Sequence, residues 1–141
     1  MVTVIVTATP VPPTATPQAT PTSVYVKWKV SQVIDVLKKA GLEVEKASNM
    51  TKDDYGLAPM SATEGIRFLV PSLCSDCGGR LYSFATADDL RLSQDYYVKL
   101  GKISAAFFSW VFVKDNVLIQ IGGTLPEATA RKYEAALNNM K

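Results

Sequence analysis

Apolar residues recur at Val33, Ile34, Leu37 and Ala40, the 3.6-residue stripe of an amphipathic helix. Ser31 is placed to cap its start. Gly41 stands where a left-handed C′ residue ends a helix, with Leu42 positioned at C″ to fold back on Leu37, as a Schellman motif prefers. Before this helix, residues 24–29 alternate apolar and polar and predict a short extended lead-in; after it, residues 43–47 start a strand. Gly, Pro, Asn and Asp then interrupt every period over residues 48–65, which reads mostly as loop. Ile66, Phe68 and Val70 alternate with Arg67 and Leu69, and Tyr82 and Phe84 alternate with Leu81 and Ser83. These are two half-buried strands joined by residues 71–79.

Thr86, followed by Asp88 and Asp89, opens a second helix: the hydroxyl caps, and the acids favour the positive end of the dipole. Gly101 is expected to close it, with Lys99 and Lys102 near the negative end. Residues 107–113 and 117–121 flank Asp115-Asn116, which has the chemistry of a two-residue hairpin turn. Pro126 and Glu127 start a third helix, with Ala130, Tyr133, Leu137 and Met140 as its buried stripe.

The hairpin turn sets a register. Phe112 pairs with Ile119 and Trp110 with Ile121 on one face, which is wholly apolar and expected to be core. Val113 pairs with Leu118 and Val111 with Gln120 on the other. In the earlier pair of strands, Ile66, Phe68, Tyr82 and Phe84 are expected to face inward. Residues 24–141 are therefore expected to form a single α+β, two-layer domain, a mostly antiparallel sheet with about three helices on one face. The outer face would hold Leu69, Leu81, Val111, Val113 and Leu118 among Arg67, Ser83, Ser109 and Gln120. That is more apolar area than a solvated face needs, so these five residues are the candidate partner surface. The competing expectation is that residues 48–65 cover it.

Composition changes abruptly ahead of this domain. Every charged side chain lies at or after Lys27, and residues 9–23 (TPVPPTATPQATPTS) are almost wholly Pro, Thr and Ala. Such a segment has nothing to bury and runs as extended polyproline II, so residues 1–23 are expected to be a tether. At about 3.1 Å per residue it could hold a domain roughly 40 Å from its start. The net charge is +2 with no basic run, which argues against sequence-independent nucleic-acid binding. No stretch is apolar enough for a membrane span, and Val2–Val6 is too short for the core of a signal peptide. The expectation is an exported chain that starts past a cleaved signal, with membrane attachment only through an N-terminal anchor.

The catalytic inventory is thin. With no histidine, the commonest general base and every Ser-His or Cys-His arrangement are excluded. Asp53-Asp54 falls in expected loop, and Asp88-Asp89 is explained by a helix start. Cys74-Ser75-Asp76-Cys77-Gly78-Gly79 is the one chemically loaded motif. A local disulfide suits an oxidising compartment. A redox dithiol wants its first cysteine at a helix N-terminus, whereas this motif lies between strands. Zinc wants four ligands, so a metal site would have to be shared across a dimer; reduced, inert thiols are the remaining reading. Phe108, Trp110 and Phe112 could line a carbohydrate or peptide groove, although strand spacing opposite Ile119 and Ile121 fits core.

The VTATPVPPTATPQATPTS segment resembles linkers that follow the lipidated cysteine of some bacterial surface lipoproteins. The AGLEV, WVFVKDNVLIQI and LPEATARKYEAAL segments are similar to domains of unknown function carried by such proteins. The resemblance implies an extracytoplasmic location at the cell surface and assigns no site residue. The function expected is a non-catalytic binding or assembly module without cofactor or metal, whose partner is an unidentified protein, a surface ligand or a second copy. The alternatives are a thiol-disulfide oxidoreductase using Cys74 and Cys77, or a dimer bridged by a metal at those cysteines.

Overall fold

Helix α1 (Val30–Lys39) begins one residue ahead of the expected cap. Ser31 lies inside its first turn, and the free amide hydrogens are taken up by side chains from elsewhere. Lys29 N donates to Gln32 Oε1 at 2.8 Å and Val30 N to Glu64 Oε1 at 3.2 Å, the latter placing a carboxylate at the positive helix end. At the other end Leu42 N donates to Leu37 O and Gly41 N to Lys38 O, with Gly41 at φ +80°, which is the Schellman arrangement. Val30, Val33 and Leu37 form the buried stripe, and Ala40 is exposed.

This computed structural model describes residues 25–141, so the tether expected over residues 1–23 lies outside the described residues. After α1 come β1 (Glu45–Asn49), the one-turn α2 (Lys52–Tyr55), β2 (Glu64–Leu69), β3 (Gly78–Ser83), α3 (Ala87–Ile103), a 3₁₀ turn (Ala105–Phe107), β4 (Ser109–Lys114), β5 (Val117–Gly122) and α4 (Glu127–Asn138). The strands make one antiparallel sheet in the order β1-β2-β3-β5-β4. The domain is α+β. The β4–β5 register is the expected one in full: Trp110↔Ile121, Val111↔Gln120, Phe112↔Ile119 and Val113↔Leu118.

The layering differs from the expectation of helices on one face. Leu81, Ile119 and Ile121 pack with Val33 and Leu37 of α1 and with Ala130, Tyr133 and Leu137 of α4. Their strand neighbours Tyr82 and Leu118 point the other way and pack with Leu90 and Tyr97 of α3, Phe84 and Ala58. Successive strand residues face opposite sides, so α1 and α4 cover one face and α3 the other. The inner strands are buried on both sides, and alternation carries no directional information there. The expected inward face of β3 is therefore the reverse of the observed one: Leu81 faces α1 and α4, and Tyr82 faces α3. Ile66 pairs with Leu81, and Tyr82 pairs with Gly65, so Tyr82 and Phe84 do not share a face with Ile66 and Phe68.

Gly101 does not end α3, which continues to Ile103. Its missing side chain lets Phe108 approach, since a Cβ there would meet the Phe108 ring at 3.3 Å. Thr86 caps as expected, accepting from Asp89 N at 3.1 Å. Pro126 occupies the cap position of α4, one residue before its first helical residue.

Both cores contain buried tyrosines. Tyr82 and Tyr97 share a hydroxyl–hydroxyl bond of 2.5 Å, and burial raises the pKa of each. Tyr133, donating to Glu43 O at 2.6 Å, is pushed up to about 12, chiefly by burial. An unfolded tyrosine ionises near 10.0. Above that pH the unfolded chain gives up protons that the native state keeps, and stability falls. These groups should leave stability unchanged below about pH 10 and lower it as pH climbs from there towards 12. Urea unfolding across this range checks it, and Tyr133→Phe should shallow the fall.

Candidate functional site

Cys74 and Cys77 form a disulfide in the turn between β2 and β3, with Cα atoms 5.0 Å apart. The turn is closed by Cys77 N donating to Cys74 O and Val70 N donating to Cys77 O. No helix starts here, so no dipole stabilises a thiolate. The two glycines that follow have a packing cause: a side chain on Gly78 would run into the Phe68 carbonyl, and one on Gly79 into the Phe68 ring and the Gln120 carbonyl. Among the described residues no group of three or more His, Cys, Asp or Glu side chains is placed to hold a metal. Closing so short a loop is worth about 2 kcal/mol in the chain-entropy model. The double Cys74→Ser, Cys77→Ser variant should therefore lose no more than about 2 kcal/mol in urea unfolding and keep its circular dichroism.

The five residues of the candidate partner surface do not form one surface. Leu81 is 0% exposed on the α1/α4 side, and Leu118 is 0% exposed beneath α3. Val111 and Val113 are half-buried against the α3-side core, where Met50, Tyr55 and Ala62 of the presumed loop also pack. Leu69 is half-buried beside the disulfide turn. The face is covered because α3 and residues 50–62 lie on it; Ser61 Oγ donates to Asp89 O at 3.0 Å and ties the two together.

Two recesses adjoin β4 and the α3 side of the sheet. The first follows the outer edge of β4, a groove of about 410 Å³ walled by Tyr97, Val98 and Lys102 of α3 and by Arg131 and Glu134 of α4. Phe108, Trp110 and Phe112 run along it, with Phe108 edge-on to Trp110 at 5.0 Å between centroids. Core and groove readings both apply to this triplet. Phe112 is buried, Phe108 is 41% exposed, and Trp110 is half-buried with its indole N–H on Leu125 O at 2.9 Å. Arg131 lies over Trp110 at 5.4 Å and is held by Glu127 and Glu134.

Because Lys114↔Val117 closes a two-residue turn, Lys114, Phe112 and Trp110 bond towards β5. The backbone groups of Val113, Val111 and Ser109 then point outward. The opposite edge is different. β1 is polar (EKASN), exposed throughout, and irregular between Glu45 and Ser48, with Lys46 at φ +48°. Charge and irregularity of this kind protect an edge from pairing, and β4 (SWVFVK) has neither before Lys114.

The second recess is a cleft of about 500 Å³ on the α3 side of the sheet, beyond the end of the α3-side core. Arg80, Gln120 and Gly122 form its floor, and Tyr96, Tyr97 and Phe107 stand on one wall facing Tyr55 and Leu57. Arg80 is directly opposite Arg67 on β2 and Gln120 on β5. Arg67 is paired with Asp54 at 3.3 Å, whose carboxyl is held below its usual pKa first by the Thr51 amide, then by the Thr51 hydroxyl, Arg67 and Arg80. Arg80 donates to Gln120 Oε1 at 3.2 Å and makes no ion pair among the described residues. Ser109 Oγ, in the lining, is buried without a hydrogen-bond partner.

The sequence expectation places Gln120, Ser109 and Arg67 on this face of the sheet but includes neither Arg80 nor the two walls. The signal was present only as spacing: once the β2–β3 register is known, Arg67 and Arg80 fall opposite each other. Comparison with family models, curated proteins and solved structures finds no match.

Proposed function

We propose that this chain is a non-catalytic extracytoplasmic binding and assembly module, carried on its Pro/Thr-rich N-terminal segment, that takes an extended segment of a partner protein as a sixth strand on β4. The observation that carries the reading is the contrast between edges: β1 is defended against pairing, while β4 is regular, apolar and set in a groove between two helices. The groove also selects the kind of partner. A strand pairs at about 4.8 Å, whereas packed helices need 8–10 Å between axes. A second copy, bringing its own α3 and α4 over its own β4, would collide before its edge reached ladder distance. A single extended segment has no such flanks. Main-chain bonds to Ser109, Val111 and Val113 would supply affinity, and the Phe108–Trp110 side would select alternate apolar side chains.

Amide exchange tests this. In the isolated protein the amides of Val111 and Val113 should exchange fast and those of Trp110 and Phe112 slowly. Adding an acetylated Thr-Val-Thr-Val-Thr amide should slow the first pair and shift resonances along α3 and α4 at the groove. The same peptide N-methylated at alternate residues should not. Protected Val111 and Val113 amides in a monomeric sample would sink the reading, and a concentration-dependent dimer removed by N-methyl-like substitution at Val111 (Val111→Pro) would replace it with self-pairing.

A further inference from the structure

The geometry points to a second binding site, which shares Tyr97, Phe108 and Ser109 with the lining of the β4 groove, in which Arg80 on the floor of the α3-side cleft holds the carboxylate of a small organic acid. Like charges directly opposite each other across strands are unfavourable, yet Arg67 and Arg80 are cross-strand partners. Asp54 neutralises Arg67 at 3.3 Å. Arg80 feels the same carboxylate only at longer range and makes no ion pair among the described residues; its side-chain hydrogen-bond partner there is the Gln120 carbonyl oxygen.

With Gln120 Oε1 occupied by Arg80, the Gln120 amide group is left to donate. The Ser109 hydroxyl has no partner among the described residues. Tyr97, which lines the cleft, shares one hydroxyl bond with Tyr82, and with Tyr82 as its donor the Tyr97 proton is left for a ligand. The floor is thus rich in donors, which is the chemistry of an oxyanion site. Gly122 leaves the sheet bare beside them. The charge count then selects among anions. Arg80 is the one cation in the cleft lining, which also holds Asp53 and the Arg67-paired Asp54, and Asp76 lines the small cavity next to Arg67 and Arg80. With one cation and these carboxylates nearby, a phosphate dianion is repelled more than a monoanion, which needs only the single Arg80 charge. The planar guanidinium fork also fits a carboxylate in two-point contact.

The walls describe the rest of the ligand. Tyr96, Leu100 and Phe107 on one side and Leu57 on the other are apolar or aromatic, with Phe107 56% and Leu57 91% exposed. Exposed apolar side chains at the mouth of a cleft with a charged floor suit an acid with an apolar body. A volume of about 500 Å³ falls within the range of small-molecule sites.

Three probes separate the possibilities: 3-phenylpropanoate, the neutral 3-phenylpropanol, and inorganic phosphate, each titrated into the full chain by ¹H–¹⁵N correlation. Phenylpropanoate should shift the amides of Gln120, Gly122 and Gly123 and the Arg80 guanidinium. The alcohol and phosphate should each bind at least about tenfold more weakly, the scale of one lost charge-assisted contact. Arg80→Gln should lower phenylpropanoate affinity about tenfold or more with the melting temperature unchanged, and Arg80→Lys should fall between. If Arg80→Gln fails to fold, Phe107→Ala removes a largely exposed wall and should still weaken binding severalfold. Absence of shifts at these amides, equal binding of acid and alcohol, tighter binding of phosphate, or unchanged affinity in both variants would each overturn the assignment. None of these outcomes bears on exchange at Val111 and Val113, so the two sites stand or fall separately.

Discussion

Replacing Leu118 with alanine should cost about 2–5 kcal/mol, the range for emptying a well-packed site. Leu118 is 0% exposed and packs among Tyr82, Phe84, Leu90 and Tyr97, so it joins the inner strand β5 to α3. The cavity would open between sheet and helix, where both sides are fixed by other contacts and cannot collapse freely. Val111→Ser, on the same face but half-buried, should be milder. Urea unfolding measures both, and the denaturant slope should stay constant because the folded surface is unchanged. A Leu118→Ala cost below about 1 kcal/mol, well under the core range, would mean that α3 does not close this face.

Asn116→Ala should destabilise by about 2–4 kcal/mol, although it removes only a small polar group from a turn. Asn116 is 0% exposed. Its Oδ1 accepts from Lys27 N at 2.9 Å and Trp28 N at 2.8 Å, and its Nδ2 donates to Trp28 O at 2.9 Å. The amide stands in for a strand, satisfying three backbone groups of the segment that leads into α1. Alanine leaves all three without partners, at about 1–3 kcal/mol for each that stays buried, partly relieved by water. Asn116→Asp should not rescue: a carboxylate keeps the acceptor, loses the donor and adds a buried charge. Asp115, next to it, accepts from Trp28 Nε1 at 2.7 Å at an exposed site, and Asp115→Ala should cost less than Asn116→Ala. Equal and small effects at both positions would show that the lead-in is held by burial of Trp28 instead.

Asn116 also shows what a sequence displays and what it conceals. Asp115-Asn116 reads correctly as a turn, and the turn sets the β4–β5 register residue by residue. Local signals of this kind are legible because each acts within a few residues: the Gly41–Leu42 helix end, the Thr86 cap and the Ala130–Tyr133–Leu137 stripe of α4, with Met140 buried just past the helix end. That Asn116 clamps a segment 88 residues earlier has no local signature. The β3 assignment failed for another reason. Leu81, Tyr82, Ser83 and Phe84 are all buried, so period-two contrast vanishes where it was needed, and α3 was lost from its proper face with it. Gly101 misled because glycine serves both left-handed helix ends and close packing, and only the neighbour Phe108 distinguishes them. The cleft could not be read at all without the β2–β3–β5 registers, since Arg67, Arg80 and Gln120 are far apart along the chain and adjacent only across the ladder.

The clamp at Asn116 decides where the domain would bear a mechanical load. Tension arriving from the N-terminal side reaches the fold at Tyr25, Lys27 and Trp28, whose hydrogen bonds go to Asp115 and Asn116 at the tip of the β4–β5 hairpin. Behind that tip, Phe84 N holds Asn116 O at 2.9 Å, passing the pull on to the chain beyond β3. A domain hung in this way loads its turn first, so the lead-in would have to break from Asn116 before α1 could be drawn out and the α1/α4 core opened.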